Sequence, residues 1–384
     1  MTSFLVFIIL VLVGIAVWQL TKIFDLTQIG ASSDDAEIAN DKDNSVNGYL
    51  MFAFVGFIYL FTIYSLYAWG DLVLGTPASE HGPDYDNLMY ISFAIIFFVQ
   101  TITQFLLHYF AFKYRGKEGQ KALYFADNNK LEAIWTIIPV IVLAGLIMYG
   151  LYTWNNIMFV NEEDKQDAIV IELYAKQFGW EARYAGDDKT LGKANVRLIE
   201  GINTLGVDLA DPAAQDDKVV TELHLPVGKK VIFKMRSQDV LHSAYMPHFR
   251  AQMNCVPGMI TQFAFTPTVT TADMRNDEAI MAKVNKINKI RTENSKKIVA
   301  EGGTALDPYT FDYLLLCNKI CGASHYNMQM KIVVDTPADF KKWLAEKPTL
   351  AQQWKEANAP APAAAEATNA VAVDSTKVVA QVIK

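Results

Sequence analysis

Two thiols, an imidazole and a thioether lie close together in this 384-residue chain, in the run Cys317-Asn318-Lys319-Ile320-Cys321-Gly322-Ala323-Ser324-His325-Tyr326-Asn327-Met328. Ligands of these types select soft metals. Thiolate, imidazole and thioether together favour copper, whereas a carboxylate set would favour magnesium, calcium or manganese. Spacing alone leaves two other readings open. A structural zinc normally takes four Cys or His ligands and rarely recruits Met. A disulfide between Cys317 and Cys321 leaves the positions of His325 and Met328 unexplained. A mononuclear blue-copper centre needs one Cys, so a second thiol in the same loop points to two copper ions bridged by both sulfurs.

Such a pair needs a second imidazole, and His242 in Ser237-Gln238-Asp239-Val240-Leu241-His242-Ser243 is the best candidate. Taken in order, Leu225-Pro226, the stretch Lys230 to Arg236, Asp239-Val240-Leu241-His242-Ser243, Pro257-Gly258 and the Cys-x3-Cys-Gly-x2-His-x2-Met loop resemble subunit II of cytochrome c oxidase. The resemblance implies that His242, Cys317, Cys321, His325 and Met328 are the side-chain ligands of a binuclear CuA centre, with the backbone carbonyl of Lys319 as a sixth. It implies one-electron transfer from cytochrome c or a partner haem to the copper pair and on to haem in subunit I, where O2 is reduced to water with proton pumping. This chain then carries electron transfer and not the oxygen-reducing site. The alternative is the CuA subunit of a nitric-oxide reductase. A quinol-oxidase subunit II, similar but without the copper ligands, does not fit a chain that has all five.

The family usually admits electrons through a Gln-Trp-aromatic-Trp run. Here the run is Gln177-Phe178-Gly179-Trp180. Phe178 takes the entry position and Trp180 the inner one, a core aromatic being the plain reading of Trp180. Asn254 stands where the family tends to have Asp, and Lys319 where it has a Glu that helps bind magnesium. Magnesium is therefore not expected.

The elements that must position these residues are legible as pattern. Beyond Asn155 short stretches of alternating or β-branched residues occur at Ala168–Tyr174, Gly179–Tyr184, Val219–Leu225, Lys230–Arg236, Gly258–Phe265, Phe311–Leu316 and Met328–Val334. They predict an all-β sandwich, in agreement with the Greek-key, cupredoxin-like fold that the resemblance implies over residues 168–346. His242 is expected just before a strand, and the Cys loop between two others. A closing helix is expected over Pro337–Leu344, with Thr336 as N-cap. Two insertions interrupt the domain. Residues 185–217 read as surface loop, whereas 268–303 has Ile280, Val284 and Ile287 at helical spacing among Lys283, Lys286, Lys289, Arg291, Lys296 and Lys297. Such a charge run is ordinarily a solvated helix face; docking of a partner is the sharper alternative. The Ala/Pro-rich tail 355–384 is expected to be disordered.

Four apolar runs, Phe4–Leu20, Tyr49–Trp69, Met89–Phe112 and Ile134–Trp154, have lengths near the ~20 residues that a helix needs to cross the hydrocarbon. Met1-Thr2-Ser3 has no charge and Val17-Trp18-Gln19-Leu20 is a poor cleavage site, so the first run reads as a retained helix rather than a signal. Lys113, Arg115, Lys117, Lys121 and Lys130 put the loop between the third and fourth runs in the cytoplasm, and the chain beyond Trp154 outside. Residues 21–48 are then a cytoplasmic loop. The family's own membrane hairpin corresponds to 85–157, which leaves residues 1–70 as additional transmembrane helices. A multi-pass protein of a bacterial inner membrane is implied, with its copper domain on the periplasmic side. Glu132 opens the fourth run. A carboxylate at a helix N-terminus suits the helix dipole; the resemblance implies instead the mouth of a proton channel into subunit I.

A net charge of −7 argues against nucleic acid as a partner. Cys255, the third of three cysteines, has no other to pair with outside the loop and reads as a buried thiol. No Cys-x2-Cys-His occurs, so no covalent haem is expected on this chain. The expected partners are the lipid bilayer, subunit I and other oxidase subunits. Acidic residues early in the β domain would attract a basic cytochrome c, while the 268–303 insertion would repel it. A haem domain of a quinol-oxidising complex, held in a supercomplex by the additional helices, is the donor that answers both.

Overall fold

The computed structural model describes residues 2–29, 40–70, 73 and 75–359. Four long helices come first: α1 (Thr2–Ile29), α2 (Asp41–Trp69), α3 (Gly82–Lys113) and α4 (Asn129–Met158). Among the described residues three helices are long and apolar enough to cross a membrane, namely α2, α3 and the one that starts at Asn129. The apolar part of α1, Phe7–Ile23, is shorter. Local chemistry sets their starts. The Asn40 and Asn128 side chains accept hydrogen bonds from Asp43 N–H and Leu131 N–H, which caps α2 and α4. Within the segment expected as a loop, 21–48, helix runs to Ile29 and resumes at Asp41. Acidic Asp41 and Asp43 in the first turn of α2 suit its dipole.

The chain divides into two compact units, the first comprising Met1–Gln166, Tyr245–Gln252 and Ala264–Tyr313. Within it α2 is tied to α3. Asn44 Nδ2 donates to Gly116 O at 3.3 Å, Arg115 Nε to Ser45 Oγ at 3.2 Å and Glu118 N to Asp41 Oδ1 at 2.9 Å. Gly48 permits this approach, because a Cβ there would lie 2.6 Å from the Phe112 ring. Residues between α2 and α3 bind the turn Pro247–Arg250: Ala78 N–H donates to His248 O and Ser79 Oγ to Phe249 O, each at 2.7 Å. Arg250 makes a buried two-pronged pair with Asp86 in the first turns of α3, at 2.7 and 2.8 Å. The 268–303 insertion is helical as expected, with α6 (Thr271–Arg275) and α7 (Glu278–Ala300), both after the short α5 (Glu162–Asp167).

Among the described residues ten strands come after the membrane helices: β1 (Ile169–Lys176), β2 (Gly179–Tyr184), β3 (Lys218–Val220), β4 (Leu223–Pro226), β5 (Val231–Ser237), β6 (His242–Met246), β7 (Ala251–Cys255), β8 (Thr261–Phe265), β9 (Tyr313–Cys317) and β10 (Gln329–Asp335). They form two five-stranded sheets, β3-β2-β1-β5-β8 and β4-β10-β9-β6-β7. The second unit, Asp167–Ala244, Met253–Phe263 and Leu314–Lys384, holds most of them. All seven predicted stretches contain strand, although Val219–Leu225 is split between β3 and β4. β6 and β7 lie outside those stretches. His242 is the first residue of β6 rather than lying before a strand.

β1 pairs with β2 antiparallel and with β5 parallel, in a register that sets Tyr174 opposite Arg236 and Ala175 opposite Ser237. The parallel pairing sends the C-terminal ends of β1 and β5 out of the same end of the sheet. The 185–217 insertion is loop with two short 3-10 turns, Val196–Leu198 and Pro212–Ala214. Buried charges hold it: Arg183 bridges Glu172 at 2.7 Å and Asp217 at 2.8 Å, and burial pushes the Asp217 carboxyl up to about 6 against the pull of Arg183. Helix α8 (Pro337–Ala345) is the predicted closing helix, with the Thr336 side chain accepting from Asp339 N–H. Helix α9 (Leu350–Ala357), opened by a Thr349/Gln352 capping box, corrects the start of the expected tail, whose residues beyond 359 lie outside those described.

Candidate metal centre

Three chain segments meet at the end of the sandwich where β1 and β5 finish, all within the second unit. From β9 the chain passes through Cys317 into the loop and returns through Met328 into β10. Cys317 N–H donates to Met328 O at 3.1 Å and Asn318 N–H to Ser243 O at 3.0 Å, which fixes the loop's base beside the start of β6. Sulfur and nitrogen atoms converge there. Cys317 Sγ lies 3.7 Å from His242 Nδ1 and 3.8 Å from Cys321 Sγ; Cys321 Sγ lies 3.6 Å from His325 Nδ1 and 3.8 Å from Met328 Sδ. The Lys319 carbonyl oxygen is 3.3 Å from Cys317 Sγ. All six sequence-predicted ligand residues are thus brought to one place.

His242, Cys321 and Met328 are buried, Cys317 and His325 partly so. Burial, and then the neighbouring Cys317, push the Cys321 thiol up to about 11. Two thiols only 3.8 Å apart suit a shared cation, whose binding displaces their protons. Donor types, convergence and burial fit the copper group that the residues imply. Met, His and paired Cys at these separations offer one ion, or two sharing the sulfurs, a soft and partly buried cage. The disulfide reading fails, since Cys317, Cys321 and Cys255 are all free.

Sequence reasoning did not single out the groups that orient these ligands. Asp239 Oδ1 accepts from His242 Nε2 at 2.8 Å, which leaves Nδ1 as the lone-pair nitrogen facing Cys317. The other Asp239 oxygen accepts from Gln177 N–H at 2.8 Å, and the Gln177 side chain donates to Cys321 O. Although burial opposes it, donation from Gln177 N–H, His242 and Val240 N–H holds the Asp239 carboxyl below the usual carboxylate range. One available signal was the acidic residue three positions before His242, since ligating imidazoles commonly donate their second N–H to a carboxylate.

Phe178 is partly exposed and packs beside Gly322, where a Cβ would meet its ring at 2.9 Å. Trp180 is buried, with its ring centre 6.3 Å from that of His242 and its Nε1 atom unpartnered among the described residues. Cys255 is buried and free as expected, its thiol pushed up to about 12 by burial. Asn254 lies in β7, its carbonyl accepting from Thr261 Oγ1 at 2.5 Å. Glu132 is elsewhere, in the first turn of α4 within the first unit, and exposed.

A family model for the transmembrane domain of cytochrome c oxidase subunit II matches residues 76–153, and one for its periplasmic domain matches residues 169–273. The first match spans α3 and α4 and begins after α2. The alternative cytochrome c oxidase subunit 2 of Bradyrhizobium diazoefficiens is 33% identical over 294 residues, covering 76% of this chain and 88% of that protein. The cytochrome c oxidase subunit 2 of Thermostichus vulcanus is 25% identical over 304 residues, 73% of this chain and 80% of the relative. Among solved structures, the periplasmic domain of subunit II of cytochrome oxidase of Bradyrhizobium japonicum aligns at 18% identity and a TM-score of 0.27, covering 46% of this chain and 91% of that one.

Proposed function

This chain belongs to the cytochrome c oxidase subunit II family, and on that premise we propose that it is the electron-entry subunit whose loop 317–328 and His242 hold two copper ions. Membership makes it a membrane protein with a periplasmic domain and a component of a haem-copper oxidase. The proposed ligands are His242, Cys317, Cys321, His325, Met328 and the Lys319 carbonyl. The observation that carries the reading is the convergence of all their donor atoms around the two sulfurs. When bound, the copper pair supplies a one-electron store whose charge is spread over two metals.

The chain's own residues do the rest. Asp239 fixes the His242 tautomer, Gln177 ties the loop to the end of β1, and burial of Cys321, Met328 and His242 excludes water. A cage held at so many points changes little between redox states, which keeps the reorganisation that accompanies electron transfer small. Phe178, exposed over the loop, and Trp180, beneath it beside His242, form the proposed entry pair. The donor is cytochrome c or a haem domain of a quinol-oxidising complex, the acceptor is haem in subunit I, and the setting is a bacterial inner membrane. Glu132 is proposed to serve as the mouth of a proton path.

Metal analysis of the purified oxidase tests this directly. About two coppers are expected for this chain from the two-thiol ligand set, with a mixed-valence spectrum in the oxidised form. Cys317→Ser and Cys321→Ser should each abolish that spectrum, whereas Met328→Leu should retain copper and shift its potential. A Cys321→Ser protein with the full spectrum would sink the bridged site. Haem analysis of the same preparation separates an oxygen reductase from a nitric-oxide reductase.

A further inference from the structure

Helix α7 is the largest element outside the two family matches apart from α1 and α2, and its two long faces differ. One face is packed. Asn288 exchanges two hydrogen bonds with the Tyr309 backbone at 3.0 and 2.7 Å, Arg291 donates to Asp307 O at 2.8 Å, and Ser295 Oγ accepts from Leu306 N–H at 2.9 Å. The returning strap 303–311 thereby covers the side that carries Ile280, Val284 and Ile287. On the opposite side Lys286, Lys289, Lys296 and Lys297 are exposed, and at 3.6 residues per turn they fall within an arc of about 100°. Glu278 and Glu293 are the only acids against the helix's six basic residues. A net charge of +4 thus sits on 23 residues of a chain whose total is −7.

Beside this stripe, between α7 and the strap, lies a cavity of about 190 Å³ lined among others by Met281, Val284, Asn285, Tyr309 and Phe311. Sites for small ligands run to about 300–1,000 Å³. This one has room for a single anchoring side chain. Lipid headgroups would also attract the lysines, but an interfacial helix lays its apolar face into the bilayer. The apolar face of α7 is already occupied by the strap. A row of cations next to a one-residue pocket of mixed lining, with Met281, Val284, Tyr309 and Phe311 beside Arg275, Asn285 and Thr310, fits an acidic polypeptide surface that carries a projecting side chain.

We propose that α7 is a docking surface for an acidic partner protein and that, resting on the electron-entry reading above, this partner is a negatively charged haem donor. The mount suits the task. Thr76 Oγ1, on the segment between α2 and α3, donates to the N-cap Asp277 at 3.1 Å, so the helix is fixed to the membrane-anchored unit.

The test uses the intact oxidase in nanodiscs, with a c-type cytochrome of net negative charge and one of net positive charge as probes. Binding is read by co-sedimentation and turnover by oxygen uptake. The negative cytochrome should bind and turn over with a KM that rises with salt. The quadruple variant Lys286→Glu, Lys289→Glu, Lys296→Glu, Lys297→Glu should raise that KM about tenfold or more, a fold-change within the range of electrostatic steering, with kcat and the copper spectrum unchanged. Asn285→Trp, which fills the cavity without altering charge, should weaken binding of the same cytochrome. An unchanged KM in the quadruple variant overturns the docking surface, as does a loss of the effect when anionic lipid is replaced by zwitterionic lipid. Binding without any cytochrome-driven turnover, in a protein whose copper is still reduced by dithionite, leaves the docking surface standing and removes the donor role instead.

Discussion

At φ +139° Gly322 holds a backbone conformation that side-chain-bearing residues rarely adopt, and it lies directly after a proposed copper ligand. A Cβ at this position would come within 2.9 Å of both the Gln177 amide nitrogen and the Phe178 ring. Gly322→Ala should therefore destabilise the loop by about 1–3 kcal/mol, the usual range for enforced backbone strain. Thermal unfolding and copper affinity of the variant measure it, and Ala tolerated without loss in either would show that the loop can shift. Neither neighbour of Gly322 could be named from its flanking residues. Gln177 and Phe178 are far away in sequence and arrive only through the end of β1.

The turn between β6 and β7 is the element where burial and neighbouring cations act together on a histidine. His248 is held down to about 4 by burial first and then by Lys283 and Arg250. A histidine whose folded value is depressed binds its proton more weakly than in the unfolded chain, so the unfolded chain takes up more protons as pH falls from about 6.5 towards 4. Stability should accordingly decline over that window, and His248→Phe should flatten the decline in thermal unfolding measured pH by pH. Arg250, two residues on, has φ +50° and pairs with Asp86 out of solvent. Removing one member of such a pair strands the other, at a cost of about 3–5 kcal/mol. Asp86→Ala should lower the unfolding temperature accordingly, and a variant as stable as the parent would mean that Arg250 finds another acceptor.

For the molecule as a whole, the chain carries more membrane helix than its family match requires. The bonds from Asp41, Asn44 and Ser45 to Arg115, Gly116 and Glu118 make α2 a packed partner of α3 rather than a free arm. Any contact α2 offers to another complex must use its remaining faces. Glu132, exposed in the first turn of α4, belongs to this scale too, because its proposed role exists only in the assembled oxidase. Glu132→Ala should slow oxygen turnover in the complex while copper reduction keeps its speed. Turnover equal to the parent's would return Glu132 to the role of an interfacial carboxylate suited to a helix dipole.

By itself the sequence determined the donor types of the site, the membrane helices, most of the strands and the helical insertion. Each of these is written locally, in the spacing of four ligands within one loop, in the length of an apolar run, or in alternation over a few residues. β6 and β7 escaped because His242-Ser243-Ala244-Tyr245-Met246 and Ala251-Gln252-Met253-Asn254-Cys255 lack β-branched alternation; their place in a five-stranded sheet makes them strands. Tertiary structure alone decided what orients the proposed metal ligands. Asp239 reaches Gln177 because β1 and β5 run parallel in one register, a pairing between residues more than sixty positions apart. Asp86 meets Arg250 across 164 positions. Contacts of that range depend on how the chain is threaded, and no pattern within a single stretch records the threading.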